Sequence, residues 1–255
     1  SRRVSSFDDP EALAAETLSS ARPLLIGLDV DGVLAPLVDH AADAALLDGM
    51  SEAMSEVAEL ESVQVAVLSG RSLDGLAQFD FHHDLHVIGS HGMQTRDRPM
   101  DPLDDAEADR LAALDALAET AARDAGDGAW VERKPASVVL HVRRADVMRG
   151  RAALDDLTVR ARGVDGATVK AGSNVLELFA RSADKGTALV ALGAELRAAT
   201  ILFAGDDLTD EDAFARLGPD DIAIKVGDAD TIAQRRLRDP GAVLAFLRAL
   251  ASPQR

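Results

Sequence analysis

The sequence predicts an α/β fold with a Rossmann-like parallel sheet core, helices on both faces of that sheet, and an inserted α+β cap domain. Short apolar runs of strand character at residues 24–28, 63–68 and 86–89 are separated by segments with helical spacing. A continuous apolar run of this length is typical of a buried parallel strand. Strands that alternate with helices favour a parallel sheet with right-handed crossovers.

Further segments extend this core on both sides of the chain. Helical patterns are predicted over residues 9–20, 43–60, 185–197 and a terminal stretch that follows Asp239-Pro240. Two more apolar runs, at residues 200–204 and 222–226, have strand character. These segments add two strands and their covering helices to the parallel sheet.

The middle of the chain follows a different pattern. Helices are predicted over residues 104–124 and 146–162, and strands over residues 130–134, 138–143, 167–170 and 174–179. Two rounds of one helix and two strands make an α+β unit with its own amphipathic helices. We therefore predict a core formed by residues 1–97 and 172–255 and a cap formed by residues 98–171, with the linker signal at Asp97–Pro102.

Composition limits the classes of partner. The 255 residues carry a net charge of −17, which disfavours nucleic acid and anionic membranes because both require a basic surface. No run of 18 apolar residues indicates a transmembrane helix, and no signal-type segment precedes residue 24. The absence of cysteine is typical of a reducing compartment and leads us to expect a cytoplasmic protein. The chain begins at Ser1 and can be a piece of a longer protein.

The first strand ends in two carboxylates, in the stretch Asp29-Val30-Asp31-Gly32. In open α/β sheets the reactive groups lie just beyond the carboxyl ends of the strands. Two acids this close repel each other, so a positive partner, usually a divalent metal, is needed to keep both ionised. The alternative is an acidic turn, in which Gly32 only allows the chain to reverse.

Three further stretches stand at predicted strand ends or helix starts: Ser69-Gly70-Arg71, Lys185-Gly186 and Gly205-Asp206-Asp207-Leu208-Thr209-Asp210. Each has an ordinary interpretation as a strand-ending turn, a solvated lysine or an acidic first turn of a helix. However, a cation is disfavoured at a helix N-terminus, and five acids among residues 206–212 exceed what one helix start needs. The joint arrangement favours a catalytic site.

Taken in order, these four stretches resemble the four motifs of the haloacid dehalogenase-like phosphatase superfamily. The resemblance is closer still to the trehalose-6-phosphate phosphatases. It rests on Val67-Leu68-Ser69-Gly70-Arg71-Ser72, Ser90-His91-Gly92, Glu132-Arg133-Lys134-Pro135, His141-Val142-Arg143, Val175-Leu176-Glu177-Leu178, Lys185-Gly186 with Ala188-Leu189, and Gly205 to Glu211. The chain departs from the family at Val30, Val33 and Met93-Gln94, where an aromatic residue, threonine and Ala-Glu are usual.

The resemblance implies a covalent phosphatase mechanism. Asp29 is then the nucleophile that forms an aspartyl-phosphate, and Asp31 is the general acid and base. Lys185 supplies a fixed positive charge to the phosphate, and Ser69 supplies a hydroxyl donor. The implied cofactor is Mg²⁺. Its predicted ligands are Asp29, the backbone carbonyl of Asp31, Asp206, Asp207 and Asp210. Asp207 and Asp210 would bind the ion directly or through water, or would orient Lys185.

The remaining predicted site residues contact the substrate. Near the phosphate these are Ser69, Gly70, Arg71 and His91, and in the cap they are Glu132, Lys134, Arg143 and Glu177. Mixed acids and bases on one sheet face suit sugar hydroxyls, which both donate and accept hydrogen bonds. Cross-strand salt bridges are the alternative for the cap residues. His82, His83, His86 and His141 lack a metal-binding spacing.

The predicted function is therefore Mg²⁺-dependent hydrolysis of trehalose 6-phosphate to trehalose and phosphate, a step of trehalose biosynthesis, with a small-molecule sugar phosphate as the partner. Two alternatives stay open. The first is a phosphatase for another sugar phosphate, because only the cap would differ. The second is a non-catalytic phosphosugar-binding module of a larger chain, although such a module needs neither a nucleophile nor an acid. The oligomeric state is left open.

Overall fold

The strands of the chain form two separate sheets. The computed structural model describes residues 6–252, which fall into a core unit and a cap unit. The core unit runs to Met100 and resumes at Ala183, whereas the cap unit comprises Asp101–Ser182. The strands are β1 (Leu24–Leu28), β2 (Val63–Leu68), β3 (His86–Gly89), β4 (Gln94–Thr95), β5 (Trp130–Lys134), β6 (Ser137–His141), β7 (Thr168–Gly172), β8 (Val175–Phe179), β9 (Thr200–Gly205), β10 (Ile222–Val226) and β11 (Arg235–Leu237).

Eight α-helices connect these strands in the described part of the chain. They are α1 (Pro10–Leu18), α2 (Met50–Ala58), α3 (Leu73–Leu76), α4 (Asp105–Ala125), α5 (Val147–Arg162), α6 (Lys185–Glu195), α7 (Leu208–Phe214) and α8 (Pro240–Ala251). Asp146 caps α5, since its side chain accepts from the backbone N–H groups of Met148 and Arg149. Among residues 6–252, no helix has the length and apolar character that a membrane span requires.

The core sheet has the strand order β11-β10-β9-β1-β2-β3-β4, and all neighbours are parallel except β3 and β4. Strand β1 lies in the centre, and its last residue, Leu28, aligns with Val67 of β2 and Ala204 of β9. The chain winds outward from β1 in both directions, so β1 marks the switch point of the sheet. Loops that follow β1, β2 and β9 therefore meet at one edge, where open α/β sheets bind ligands.

Helices cover both faces of the core sheet, as predicted. Leu24, Ile26 and Leu28 of β1 belong to an apolar cluster that includes residues of α1, α2 and α8. Leu25, which points to the other face, belongs to a cluster with Leu189 of α6 and residues of α7. Burial of each such side chain contributes about 1.5–3 kcal/mol, so β1 is held firmly between the two layers.

The cap sheet is antiparallel with the order β5-β6-β8-β7. Alternate residues, such as Leu140 of β6 and Leu178 of β8, form an apolar cluster with residues of α4 and α5. Because side chains alternate across a strand, the opposite face of this sheet carries Glu132, Lys134 and Glu177. The α+β character of the inserted unit thus agrees with the prediction.

Two sequence-based boundaries differ from the structure. The predicted cap ended at residue 171, but β8 pairs with β6 and β7, and the cap unit extends through Ser182. Asn174, with φ near +60°, lies in the turn of a β7–β8 hairpin, and no domain junction falls there. The predicted helix over residues 43–60 is wrong in its first part. Gly49 adopts φ +85°, which an α-helix cannot contain, so α2 begins at Met50.

Candidate active site

Four carboxylates meet at the carboxyl edge of the core sheet. Asp29 follows β1, Asp206 and Asp207 follow β9, and Asp210 lies in the first turn of α7. Each offers an oxygen atom, and these four atoms lie within 4.8 Å of one another. The parallel pairing of β1 with β9 brings them together, because Leu28 aligns with Ala204. Residues that are far apart in sequence thus form one acidic cluster.

Lys185 supplies the positive charge inside this cluster. Its Nζ lies 2.8 Å from Asp29 Oδ2 and 2.9 Å from Asp210 Oδ1, and its side chain is only 2% exposed. Asp184 caps α6 by accepting from the Thr187 amide at 2.7 Å, which fixes Lys185 as the first residue of the helix. Burial alone lowers the pKa of Lys185, but the carboxylates of Asp210 and Asp29 outweigh burial and raise that pKa. The ammonium group is therefore permanently charged.

The acidic loop between β9 and α7 is ordered by its own hydrogen bonds. Asp207 caps α7, where its Oδ1 accepts from the amides of Thr209 at 2.8 Å and Asp210 at 3.1 Å. In return, Asp210 Oδ2 accepts from the amides of Asp206 at 2.9 Å and Asp207 at 3.1 Å. Both oxygens of Asp210 are thus engaged, one by amides and the other by Lys185. Asp210 therefore orders this loop and holds Lys185.

The electrostatics of the cluster indicate a shortage of positive charge. Burial raises the pKa of Asp29 well above its usual value, and Asp210 and Asp207 raise it further against the opposing effect of Lys185. Burial, with the neighbouring Asp210 and Asp207, also raises the pKa of Asp206 to about 7. Oxygen donors that crowd in this way match the preferences of Mg²⁺ and Ca²⁺. The residues present therefore fit a divalent metal ion.

Gly32 is required for this geometry. Its φ is +78°, and a Cβ atom at this position would lie 2.1 Å from Asp206 Oδ2. Any side chain would therefore displace Asp206 from the cluster and strain the backbone at the same time. Steric exclusion by Asp206 therefore explains why residue 32 is glycine, in addition to the turn that the sequence predicts.

The carboxylate of Asp31 lies outside the four-carboxylate cluster and pairs with Arg71. Arg71 Nε donates to Asp31 Oδ2 and Nη2 donates to Oδ1, each at 2.7 Å. A further Arg71 nitrogen, Nη1, donates to the carbonyl of Ala41 at 2.9 Å. Such a bidentate pair fixes both side chains in one plane. The contact of the Asp31 backbone carbonyl with a metal ion, which the family resemblance implies, stays a prediction.

The loop after β2 gathers three predicted substrate-binding residues. Ser69 Oγ accepts from the Arg71 amide at 3.1 Å, and the Ser69 carbonyl accepts from the His91 amide at 3.0 Å. A Cβ atom on Gly70 would lie 2.6 Å from Cε1 of the His91 ring. His91 itself has φ +56°, a conformation rare outside glycine. Ser69, Gly70 and His91 are therefore tightly packed together.

In the cap, three of the four predicted residues share the polar sheet face. Lys134 Nζ lies 3.0 Å from Glu177 Oε1, which also accepts from Ser137 Oγ at 2.7 Å. Glu132 Oε2 lies 2.9 Å from His141 Nε2, and this hydrogen bond lowers the pKa of Glu132 although burial opposes it. The cross-strand ion pair considered from the sequence is thus present. The fourth residue, Arg143, is exposed and lies beyond the end of β6.

Sequence reasoning missed one residue of the site. Lys225 of β10 is 2% exposed, and its Nζ donates to the Asp206 carbonyl at 2.7 Å and lies 3.6 Å from Glu211. It therefore supports the loop that carries Asp206. A lysine inside the apolar run Ile222-Ala223-Ile224-Lys225-Val226 was the available signal, because a buried strand does not accept an unpaired cation.

Comparison with known proteins identifies the family. The family model described as trehalose-phosphatase matches residues 27–240. The chain belongs to the trehalose-phosphatase family. This match confirms the resemblance predicted from the motifs.

Two mycobacterial relatives match most of this chain. A trehalose-phosphate phosphatase of Mycobacterium ulcerans is 34% identical over 262 residues, covering 95% of this chain and 66% of that protein. An uncharacterised glycosyl hydrolase of Mycobacterium tuberculosis is 34% identical over 255 residues, covering 92% of this chain but 18% of that protein. The chain thus spans about a fifth of one of these relatives and about two thirds of the other.

The fold has a solved counterpart. The C-terminal domain of Candida albicans trehalose-6-phosphate phosphatase superposes with a TM-score of 0.80 at 22% identity. The alignment covers 96% of this chain and 97% of that domain. At this identity the comparison establishes the fold, whereas membership of the family rests on the sequence matches.

Proposed function

We propose that the chain is a Mg²⁺-dependent phosphatase that hydrolyses trehalose 6-phosphate to trehalose and phosphate. The observation that carries the proposal is the contact of Lys185 with both Asp29 and Asp210 at the switch point of a trehalose-phosphatase fold. A nucleophilic carboxylate needs a neighbouring positive charge before it can approach a dianionic phosphate. Lys185 is buried, charged and in contact with the carboxylate that would attack.

The reaction follows from the residues in two steps. First, an Asp29 oxygen attacks phosphorus, the bond from phosphorus to the sugar oxygen breaks, and Asp31 donates a proton to the leaving sugar. Second, the ionised Asp31 takes a proton from water, and the resulting hydroxide attacks the aspartyl-phosphate, which releases phosphate and restores Asp29. In the structure both Asp31 oxygens accept hydrogen bonds from Arg71, so Asp31 must leave this pair to donate its proton, and Arg71 is a positioning residue that holds the carboxylate between turnovers.

Asp29 and Asp206, with the Asp31 carbonyl, would hold the Mg²⁺ ion. When bound, the ion neutralises phosphate charge and acts as a Lewis acid. Asp207 and Asp210 support the site by ordering the loop and by holding Lys185. The cytoplasmic location predicted from the lack of cysteine stays a prediction.

In this proposal the phosphate contacts Ser69, Gly70, Arg71 and His91 in the core, and discrimination among sugars falls to the cap. Glu132, Lys134 and Glu177 share one face of the cap sheet and offer both donors and acceptors. Arg143 is retained as a substrate contact from the family resemblance. Sites that hydrogen-bond hydroxyls reject ligands that leave their buried groups unpaired. A monosaccharide phosphate should therefore be a poor substrate.

The test is phosphate release from trehalose 6-phosphate, with glucose 6-phosphate, sucrose 6-phosphate and a small aryl phosphate as comparison substrates. Each is assayed in Mg²⁺ and in excess chelator. Selective, Mg²⁺-dependent turnover of trehalose 6-phosphate supports the proposal. If the protein prefers another sugar phosphate, that sugar phosphate becomes the proposed substrate. If folded, Mg²⁺-loaded protein hydrolyses none of these esters, the proposed catalytic role is wrong.

A further inference from the structure

The cap presents a half-exposed aromatic platform on its polar sheet face. Trp130, the first residue of the edge strand β5, is 50% exposed. Its ring lies against the ring of His141, with centroids 3.9 Å apart and planes within 3° of parallel. Since His141 covers one face of the indole, the exposed area lies on the other face and the edge. Trp130 is outside every motif that identified the site, whereas His141 belongs to the motif His141-Val142-Arg143.

The platform is held in place by a predicted substrate contact. Trp130 and His141 are directly opposed in the β5–β6 register, and Glu132 Oε2 lies 2.9 Å from His141 Nε2. The hydrogen bond fixes the imidazole, and the imidazole in turn supports the indole. By strand alternation, Trp130 lies on the same face as Lys134 and Glu177. Aromatic and hydrogen-bonding groups are therefore arranged along one continuous surface.

This combination matches the chemistry of a hexopyranose. A sugar ring has an apolar face of C–H groups, which packs against a flat aromatic ring, and a rim of hydroxyls, which needs donors and acceptors. The exposure of Trp130 is not explained by an abundance of aromatic residues, because aromatics make up 3% of the chain and Trp130 is its single tryptophan. The other large exposed hydrophobics of the cap, Val147, Met148 and Val159, are aliphatic and lie on α5.

We propose that Trp130, supported by His141 and Glu132, forms a stacking subsite for the hexopyranosyl ring that does not carry the phosphate. The inference rests on the proposed function and deepens it, because it names the residue that distinguishes a disaccharide phosphate from a monosaccharide phosphate. Trp130 is then a specificity-determining residue for the far ring, separate from the charged groups that bind hydroxyls.

The chain offers a direct readout of this subsite. It contains one tryptophan and no tyrosine, so its indole fluorescence reports on Trp130 alone. Titration of the Mg²⁺-loaded full chain with trehalose should change the emission in a saturable way, whereas sorbitol, a polyol without a ring, should not. An emission that depends on protein concentration and is indifferent to trehalose would show that a second copy covers the platform, and would overturn the proposal.

The kinetics of matched variants provide a second test of the subsite. Trp130→Ala should lower kcat/KM for trehalose 6-phosphate about 10- to 100-fold, since stacking and apolar contact with one ring are lost. Its effect on a small aryl phosphate should stay within about twofold. Trp130→Phe should retain most activity because it keeps a flat ring. Val159→Ala, an exposed cap residue on α5, is the control and should match the wild type.

The outcomes separate this inference from the function on which it rests. If the wild type hydrolyses trehalose 6-phosphate but Trp130→Ala keeps full kcat/KM and trehalose leaves the emission unchanged, the subsite is refuted and the function stands. If the wild type does not turn over trehalose 6-phosphate yet trehalose saturably changes the emission, the subsite is supported and the function fails. Circular dichroism of Trp130→Ala checks that the cap is folded. If Trp130→Ala is misfolded, the trehalose titration of the wild type and of Trp130→Phe still tests the subsite.

Discussion

Substitution of Lys185 by methionine tests the central contact of the site. The side chain is 2% exposed and its Nζ touches Asp29 at 2.8 Å and Asp210 at 2.9 Å. Methionine has a similar length and fills the space, but it carries no charge. The variant therefore leaves two buried carboxylates without their cation and creates only a small change in packing.

The expected magnitude follows from the cost of breaking a buried ion pair. Removal of one partner typically destabilises a protein by about 3–5 kcal/mol, because the remaining charge is buried without compensation. For a protein of this size, that corresponds to a decrease of about 6 to 20 °C in the Tm of metal-free protein at pH 7. Turnover of every phosphate ester should fall at least about 10²-fold, since a preorganised charge at the phosphate is lost.

The assay is thermal unfolding, followed by circular dichroism, with phosphate release measured in parallel. Lys225→Met is a matched control, because Lys225 is equally buried but contacts a carbonyl at 2.7 Å and one carboxylate at 3.6 Å. It should lose less stability than Lys185→Met. Lowering the pH should reduce the difference in Tm between the wild type and Lys185→Met, because protonated carboxyl groups carry no charge for a lysine to balance. An unchanged Tm at pH 7, or wild-type turnover, would refute this account of the site.

Three further predictions concern the nucleophile, the metal and the cap. Asp29→Asn should reduce phosphate release from sugar and aryl phosphates alike by about 10³-fold or more, and wild-type release by a folded variant would contradict covalent catalysis. Mg²⁺ should raise the Tm of chelator-stripped protein by binding the folded state, and a Tm indifferent to Mg²⁺ would argue against the acidic cluster as its site. Hydrogen bonding from Arg181 lowers the pKa of Glu107 from 4.5 to about 2. The wild type should therefore be more stable than Glu107→Gln above pH 4.5, and this advantage should disappear as the pH falls towards 2; a difference in Tm that is constant with pH would contradict it.

The core sheet could be predicted because its strands are buried on both faces. The runs at β1, β2 and β9 are almost entirely apolar, with Gln64 inside β2 and Thr200 at the start of β9 as the polar residues, and their lengths match the strands closely. Helix α2 was harder, because Leu46 and Leu47 continue the helical spacing while packing against the core from an irregular segment. Periodicity reports which residues are buried, and Gly49 decides where the helix can begin. Strands β4 and β11 are only two and three residues long and have no pattern to detect.

The candidate site was predicted wherever a motif follows a strand. Asp29, Ser69 and Asp206 stand directly after β1, β2 and β9, so the topology of the sheet places them at one edge. The pairing of Asp31 with Arg71 and the contact of Lys225 with the Asp206 carbonyl could not be predicted. Both depend on side-chain directions between loops distant in sequence. Trp130 and His141 are opposed only in the β5–β6 register, which the motif His141-Val142-Arg143 does not reveal.

The charge balance of the cluster connects stability to function. Four carboxylates share one lysine, and burial raises the pKa of both Asp29 and Asp206 when no other cation is present. A cluster selected for stability alone would carry fewer acids, because each added carboxylate repels the others. Under the proposed function, a divalent ion would balance the acids and the substrate phosphate would contact the lysine, so the arrangement would become favourable on binding. Binding would then relieve the repulsion among the four carboxylates, while the amides of Asp206 and Asp207 hold Asp210 in place.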